Sequence, residues 1–220
     1  MAQDSFNFYK YNSADTGEGE QKQHSSFSTN VLTTGDTYCR DYATTSGIVK
    51  CLLTGSSFSD LDDTKAVSLR AKVRTYSSSG HIMVLAKTDT AVDSQWYNQK
   101  GYMFGIRYYG KFHTYDGTSY YDTSSGVTVS GMNSSYTGQW VHVRMDIEPV
   151  KVGGTLTGDK IKVFLSSDDG STWSLQETFE VATTDNGFVP WSDSTRNKYG
   201  FQIYKGYIDD FEIYLSTGYV

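Results

Sequence analysis

The 220-residue chain is long enough to bury one large core, and its formal net charge of −6 with no Lys/Arg cluster excludes nucleic acid and anionic membranes as partners. No apolar run approaches the roughly 20 residues that span a bilayer, and two cysteines are too few for a disulfide framework or a zinc site. With 18 Tyr and only 2 Pro, the composition suits pleated, half-buried surfaces joined by tight turns.

In chain order, Met1-Ala2-Gln3-Asp4-Ser5 carries neither a basic nor an apolar leader region, so no signal peptide is expected. Phe6, Phe8, Tyr9 and Tyr11 form an aromatic head, followed to Ser26 by a polar tether whose only aliphatic residue is Ala14. Such a segment cannot bury enough surface to fold alone, so residues 1–30 read as an N-terminal arm, either laid over the domain or gripping a partner. The sandwich is expected over 31–220. Cys39 and Cys51 flank the turn-like Ala43-Thr44-Thr45-Ser46-Gly47 and are either reduced packing residues or a cross-strand disulfide. Asp60, Asp62 and Asp63 form an acidic turn or a calcium loop.

Strands then follow closely. Val67, Leu69, Ala71 and Val73 alternate with Ser68, Arg70, Lys72 and Arg74, the period-2 pattern of a sheet with one wet face. His81 to Lys87 is apolar on both parities, which predicts a central strand. Tyr102, Phe104, Ile106 and Tyr108 lead through Tyr109-Gly110 into Phe112 and Thr114, a hairpin. Val141, Val143, Met145 and Ile147 alternate again, and residues 160–165 and 175–181 form a hairpin around Asp168-Asp169-Gly170. Phe201 and Ile203 precede Gly206, and residues 207–215 make the last strand. Many short strands without a sustained helical period predict an all-β sandwich or barrel.

Three segments carry a resemblance. Gly138-Gln139-Trp140-Val141-His142-Val143, Lys160-Ile161-Lys162-Val163-Phe164-Leu165 and Gly206-Tyr207-Ile208-Asp209-Asp210-Phe211-Glu212-Ile213-Tyr214 are similar, in order and spacing, to strands of laminin-G-like and pentraxin-like domains. The resemblance implies the concanavalin A-like lectin/glucanase jelly roll, an all-β, two-sheet antiparallel sandwich, here with an N-terminal arm. That superfamily includes lectins, carbohydrate-binding modules, glycoside hydrolases, polysaccharide lyases and phage surface domains, so the fold leaves the activity open. A fourth segment, Ser166-Ser167-Asp168-Asp169-Gly170-Ser171-Thr172-Trp173, resembles the Asp-box of sialidase hairpins. Its chemistry is local: Asp168 accepts turn N–H groups, Gly170 takes positive φ and Trp173 packs beneath, so Ser166, Asp168, Gly170, Thr172 and Trp173 read as a structural turn.

Retaining glycosidases need two carboxylates about 5–5.5 Å apart. No strand offers the Glu-x-Asp-x-Glu spacing that glucanases of this superfamily use, and Asp209-Asp210-Phe211-Glu212 lacks it. Arg107, His113 and Tyr115 share one strand pair and resemble part of a lyase cluster, but the accompanying Gln-x-His motif is missing. His24, His81, His113 and His142 show no metal-ligand spacing. Even alternation along the last strand places Tyr207, Asp209, Phe211, Ile213 and Leu215 on one face. A core-facing Asp209 accepts backbone N–H bonds or, as similar domains imply, helps hold a structural Ca²⁺.

Trp96, Tyr97, Tyr108, Tyr109, Tyr115, Tyr120 and Tyr121 crowd one region and are the candidate glycan-binding residues, because aromatic faces stack on sugar C–H surfaces. A lectin-like fold without an export signal suggests assembly inside a cell and release by lysis. The sequence reading is therefore a non-catalytic virion-surface protein, a phage decoration or fibre component. In that reading the arm docks on the particle or on other copies of the chain, and the sandwich is free to bind a glycan. The alternatives are a secreted lyase or hydrolase and a free carbohydrate-binding module.

Overall fold

The computed structural model of the chain describes residues 27–28, 49–53, 63–89, 95–168, 170–196 and 198–217. They form a β-sandwich of two antiparallel sheets. The strands are β1 (Phe27–Ser28), β2 (Val49–Leu53), β3 (Lys65–Thr75), β4 (His81–Thr88), β5 (Gly101–Arg107) and β6 (Tyr109–Tyr115). After these come β7 (Val127–Thr128), β8 (Val141–Val152), β9 (Thr155–Ser166), β10 (Ser174–Ala182), β11 (Lys198–Tyr204) and β12 (Gly206–Thr217). One sheet runs β1-β2-β11-β4-β5-β6-β7 and the other β10-β9-β8-β3-β12.

The alternating runs do what their period requires. Val67, Leu69, Ala71 and Val73 of β3 and Val143, Met145 and Ile147 of β8 are buried between the sheets, while Arg70, Lys72, Arg74 and Arg144 are only half-buried. They meet Ile82, Val84, Ala86, Tyr102, Phe104, Ile106, Phe112, Phe201 and Ile203 from the other sheet in one continuous core. Strand β4 is buried on both parities, as expected of a central strand. Its second face is covered by a loop side chain: Met83 and Leu85 pack with Met103 and Trp96 in a separate cluster outside the main core.

Of the segment read as an arm, only Phe27 and Ser28 are described, and they pair with Leu53 and Leu52 at the sheet edge. Cys39, Asp60, Asp62 and the aromatic head lie outside the described residues. Asp63 is described and faces Lys151 at 3.3 Å.

Gly105 has no room for a side chain. A Cβ there would collide with the carbonyl oxygen of Ile82 on β4, a backbone atom that cannot turn aside. Gly105→Ala is expected to destabilise the sandwich by about 1–3 kcal/mol, the usual range for forced overpacking. A urea-unfolding midpoint indistinguishable from wild type would show that β4 and β5 are further apart.

Candidate functional site

The outer face of the seven-stranded sheet gathers side chains from four neighbouring strands. In register, Gln202 of β11 lies opposite Met83 of β4, and Tyr204 lies opposite His81. Met83 in turn faces Gly105 of β5, and Met103 faces His113 of β6. Arg107, at the end of β5, reaches the same face, with its guanidinium carbon 4.9 Å from the centre of the Trp96 ring.

The short turn Trp96–Asn98 lies over this face. Around the indole the aromatic rings form a chain. His113 is 5.3 Å from it and His81 is 6.0 Å away, with Tyr204 5.4 Å beyond His81. His113 also approaches Tyr120 at 5.5 Å, and Tyr120 stacks on Tyr115 at 4.6 Å and 22°. The floor (His81, Met83, Leu85, Met103, His113, Gln202) is buried, and the rim (Tyr97, Arg107, Lys111, Tyr115, Tyr120, Tyr204) is half-exposed.

Burial sets the protonation of the floor. It pushes His81 down to about 3, helped by the positive charge of Arg107. It pushes His113 down to about 4, against a hydrogen bond to the Tyr97 carbonyl at 2.8 Å that works the other way. A carbonyl only accepts, so His113 carries its proton on Nε2 and leaves Nδ1 as a lone pair. Both imidazoles are neutral near pH 7. Three buried polar atoms here, His81 Nε2, Trp96 Nε1 and Gln202 Oε1, have no hydrogen-bond partner among the described residues. The Gln202 amide nitrogen finds only the Met103 sulfur, at 3.4 Å.

Of the aromatic residues singled out in the sequence, Trp96, Tyr97, Tyr115 and Tyr120 come together here. Tyr108 and Tyr109 pack edge to face at the hairpin tip, with ring centres 4.5 Å apart, and Tyr108 has φ 63°. Tyr121 leaves the group: its ring leans on Phe112 of the main core and its hydroxyl donates to the Glu180 carbonyl at 3.1 Å. Sequence reasoning found Arg107, His113 and Tyr115 but did not connect Gln202, His81 and Tyr204 to them. Gln202 and His81 stand on the paired strands β11 and β4, far apart in the sequence.

Parity along β12 is not uniform, and the Asp209 side chain lies outside the described residues. The β12–β3 register shifts between Asp209 and Glu212, and Ile208, not Tyr207, shares the core with Phe211 and Ile213. The even alternation is therefore broken by a bulge, and the backbone of Asp209 pairs with Lys72. Among the described residues no three His, Cys, Asp or Glu side chains are grouped to hold a metal ion such as Ca²⁺.

The Asp-box segment closes the β9–β10 hairpin. Asp168 accepts from Thr172 N at 2.8 Å and from the Thr172 hydroxyl at 2.6 Å, and Ser166 Oγ accepts from Gly170 N at 2.9 Å. The Thr172 bonds hold the Asp168 carboxyl down to about 2. Gly170 has φ 80°, and Trp173 sits under the Arg70 guanidinium at 5.9 Å.

A second polar cluster lies between the sheets. Lys87 Nζ donates to Asp159 Oδ2 at 2.6 Å and to the Val189 carbonyl at 3.0 Å. Tyr102 donates to the same Oδ2, and Trp191 Nε1 to Oδ1, each at 2.6 Å. Burial lowers Lys87 to about 8 despite its carboxylate partner, and burial first, then Asp159, raises the Tyr102 and Tyr199 hydroxyls. No polar atom of Lys87, Tyr102, Asp159 or Trp191 is left without a partner, which marks the cluster as structural.

No family profile matches the chain, and no curated protein matches it. Solved structures do. A glycoside hydrolase of family GH43, engineered to display both endo-xylanase and exo-arabinofuranosidase activity, aligns with all of this chain at 12% identity and a TM-score of 0.47. This chain spans only 42% of that protein's length. A mutant of the alginate lyase Aly36B in complex with an alginate tetrasaccharide aligns over 77% of this chain and 71% of its own, at 14% identity and a TM-score of 0.36. The PL-14 alginate lyase from Aplysia kurodai aligns over 96% and 79%, at 11% identity and 0.38. The likeness is one of sandwich architecture.

Two expectations change. The expectation that the chain is not an enzyme is withdrawn: it rested on a missing carboxylate pair, and the structures that align with the chain are a glycoside hydrolase and alginate lyases. A missing carboxylate pair excludes only chemistry that runs through two carboxylates, and it is silent about Arg, His, Gln and Tyr. The virion-surface reading finds no support in the comparisons. Among the described residues no helix is long and apolar enough to cross a membrane.

Proposed function

We propose that the chain binds an acidic polysaccharide on the outer face of the seven-stranded sheet and cleaves it by β-elimination. The observation that carries this reading is a neutral, buried His81, its Nε2 without a partner among the described residues, on the same face as the Arg107 guanidinium. Elimination next to a uronate carboxylate needs a cation to pair that carboxylate, a base to remove the proton at C5 and an acid to protonate the departing O4. Arg107 supplies the first. His81, with His113 beside Trp96 on the same face, supplies the base, since an imidazole held neutral has a lone pair at ordinary pH. Tyr204, 5.4 Å from His81, supplies the acid. The C5–H and C4–O4 bonds break, a C4=C5 double bond forms, and the proton count closes without an oxidant or co-reactant. The Tyr115–Tyr120 stack at the rim offers a flat face to a neighbouring sugar ring.

Incubation with sodium alginate and with pectate, followed by ultraviolet absorbance of the unsaturated product, tests the reading. Arg107→Ala is expected to lower kcat/KM by about 100-fold or more, as removal of a charge-stabilising donor does, with the melting temperature little changed. New reducing ends without unsaturation would overturn elimination. Turnover indifferent to Arg107→Ala would overturn the site.

A further inference from the structure

We propose that Trp96 is a plug: the Trp96–Asn98 turn occupies the ligand position on the outer face of the seven-stranded sheet and swings aside to admit a glycan. The ligand class rests on the reading above, whereas the plug rests on geometry alone. The indole lies 5.3 Å from His113, 6.0 Å from His81 and 4.9 Å from the Arg107 guanidinium carbon, so it fills the volume among the groups that would hold a sugar ring.

The polar atoms beneath it argue that it is a poor permanent occupant. A satellite core buries apolar side chains, as Met83, Leu85 and Met103 do here. This one also buries His81 Nε2, Gln202 Oε1 and the indole's own Nε1 without hydrogen bonds among the described residues. The Lys87–Asp159 cluster, in the same fold, satisfies every such atom. Sugar hydroxyls donate and accept, and they would satisfy His81 and Gln202 in a way that one indole cannot. Opening also returns Trp96 Nε1 to water.

The turn is three residues long and has no side-chain cap at Gln95. Asn98 N donates to the Gln95 carbonyl at 3.1 Å, which the Gln99 side-chain amide also reaches at 3.4 Å. Its outward ties include the Tyr120 hydroxyl to Asn98 Oδ1 at 2.7 Å, His113 to the Tyr97 carbonyl at 2.8 Å, and the Arg107–Trp96 contact. Two of these ties release groups of the site itself when they break, since His113 and Arg107 can then meet a ligand.

Hydrogen exchange on the intact, ligand-free protein and binding of sodium alginate oligomers to wild type and Trp96→Gly test the plug together. The amides of residues 95–99 are expected to exchange at least about tenfold faster than those of β4 and β5, and faster still in Tyr120→Phe, which removes one tie. If the open state is a tenth populated or less, Trp96→Gly tightens apparent alginate binding by about tenfold or more. Weaker binding by Trp96→Gly would make Trp96 a stacking platform and overturn the proposal. So would exchange of the turn only together with β4 and β5. Should neither protein bind alginate, the acidic-glycan reading falls, and the exchange rates decide the plug on their own in wild type and in Tyr120→Phe.

Discussion

Replacing Asp159 by alanine is expected to cost about 3–5 kcal/mol of stability, the range for breaking a buried ion pair by removing one partner. Whole domains are stable by only about 5–15 kcal/mol, so this change takes a large share. Asp159 receives hydrogen bonds from Lys87, Tyr102 and Trp191, which tie β9 to β4, to β5 and to the loop that carries Val189 and Trp191. Without the carboxylate, three buried donors lose their acceptor at once. The Lys87 ammonium keeps the Val189 carbonyl and the ring faces of Trp191, Tyr102 and Phe188, at 3.8, 5.1 and 5.6 Å. Burial already lowers Lys87 to about 8, and the carboxylate is what opposes that fall. The variant's lysine should therefore shed its proton at still lower pH.

The joint replacement separates net stabilisation from mutual dependence. Lys87→Met with Asp159→Leu removes both charges together and is expected to be far milder than Asp159→Ala, because a buried ion pair roughly breaks even against apolar residues of similar size. Urea unfolding of the two single variants and the double variant gives the coupling directly. A loss below about 1 kcal/mol for Asp159→Ala would mean that water reaches the pair.

The same cluster shows what a sequence conceals. Alternation identified β3 and β8 because each keeps one face wet. It identified β4 as central because Ile82 to Ala86 is apolar at every position. Lys87 ends that run, a charged residue at the close of a stretch read as a central strand. It sits in left-handed backbone at φ 51°, beside a register shift between Lys198 and Gly200, and turns inward next to Ala86. A local break of period produces the buried charge, and another moves Ile208 into the core on β12. The candidate site was half legible for a different reason. Arg107, His113 and Tyr115 stand on one hairpin, which local pattern can find. His81 and Gln202 join them only through the order β11-β4-β5-β6, a long-range pairing that no short motif encodes. Trp96 was singled out as a sugar platform from the local density of aromatic residues, and its position over the floor is what the plug proposal adds.

The fold is expected to lose stability steeply between pH 6.5 and pH 4. His81 and His113 are lowered from 6.5 to about 3 and about 4 by burial. In the unfolded chain both imidazoles take up protons near 6.5, whereas the folded protein refuses them until about 4 and 3. Between those limits the unfolded state binds up to two more protons, so stability falls as pH falls. Each histidine then removes about 2 kcal/mol by pH 5, at about 1.4 kcal/mol per unit of pH below its ordinary value. Above pH 6.5 the contribution is complete and flat. Asp168, held at about 2 by its Thr172 bonds, adds its own loss only below its ordinary 3.8, in a separate and more acid window. Urea unfolding at pH 7 and pH 5 measures the slope, and His113→Gln should remove about half of it because glutamine does not titrate. Equal stability at the two pH values would show that both imidazoles take up their protons in the folded protein near 6.5. They would then lie in water, and the closed floor described for the outer face would be wrong.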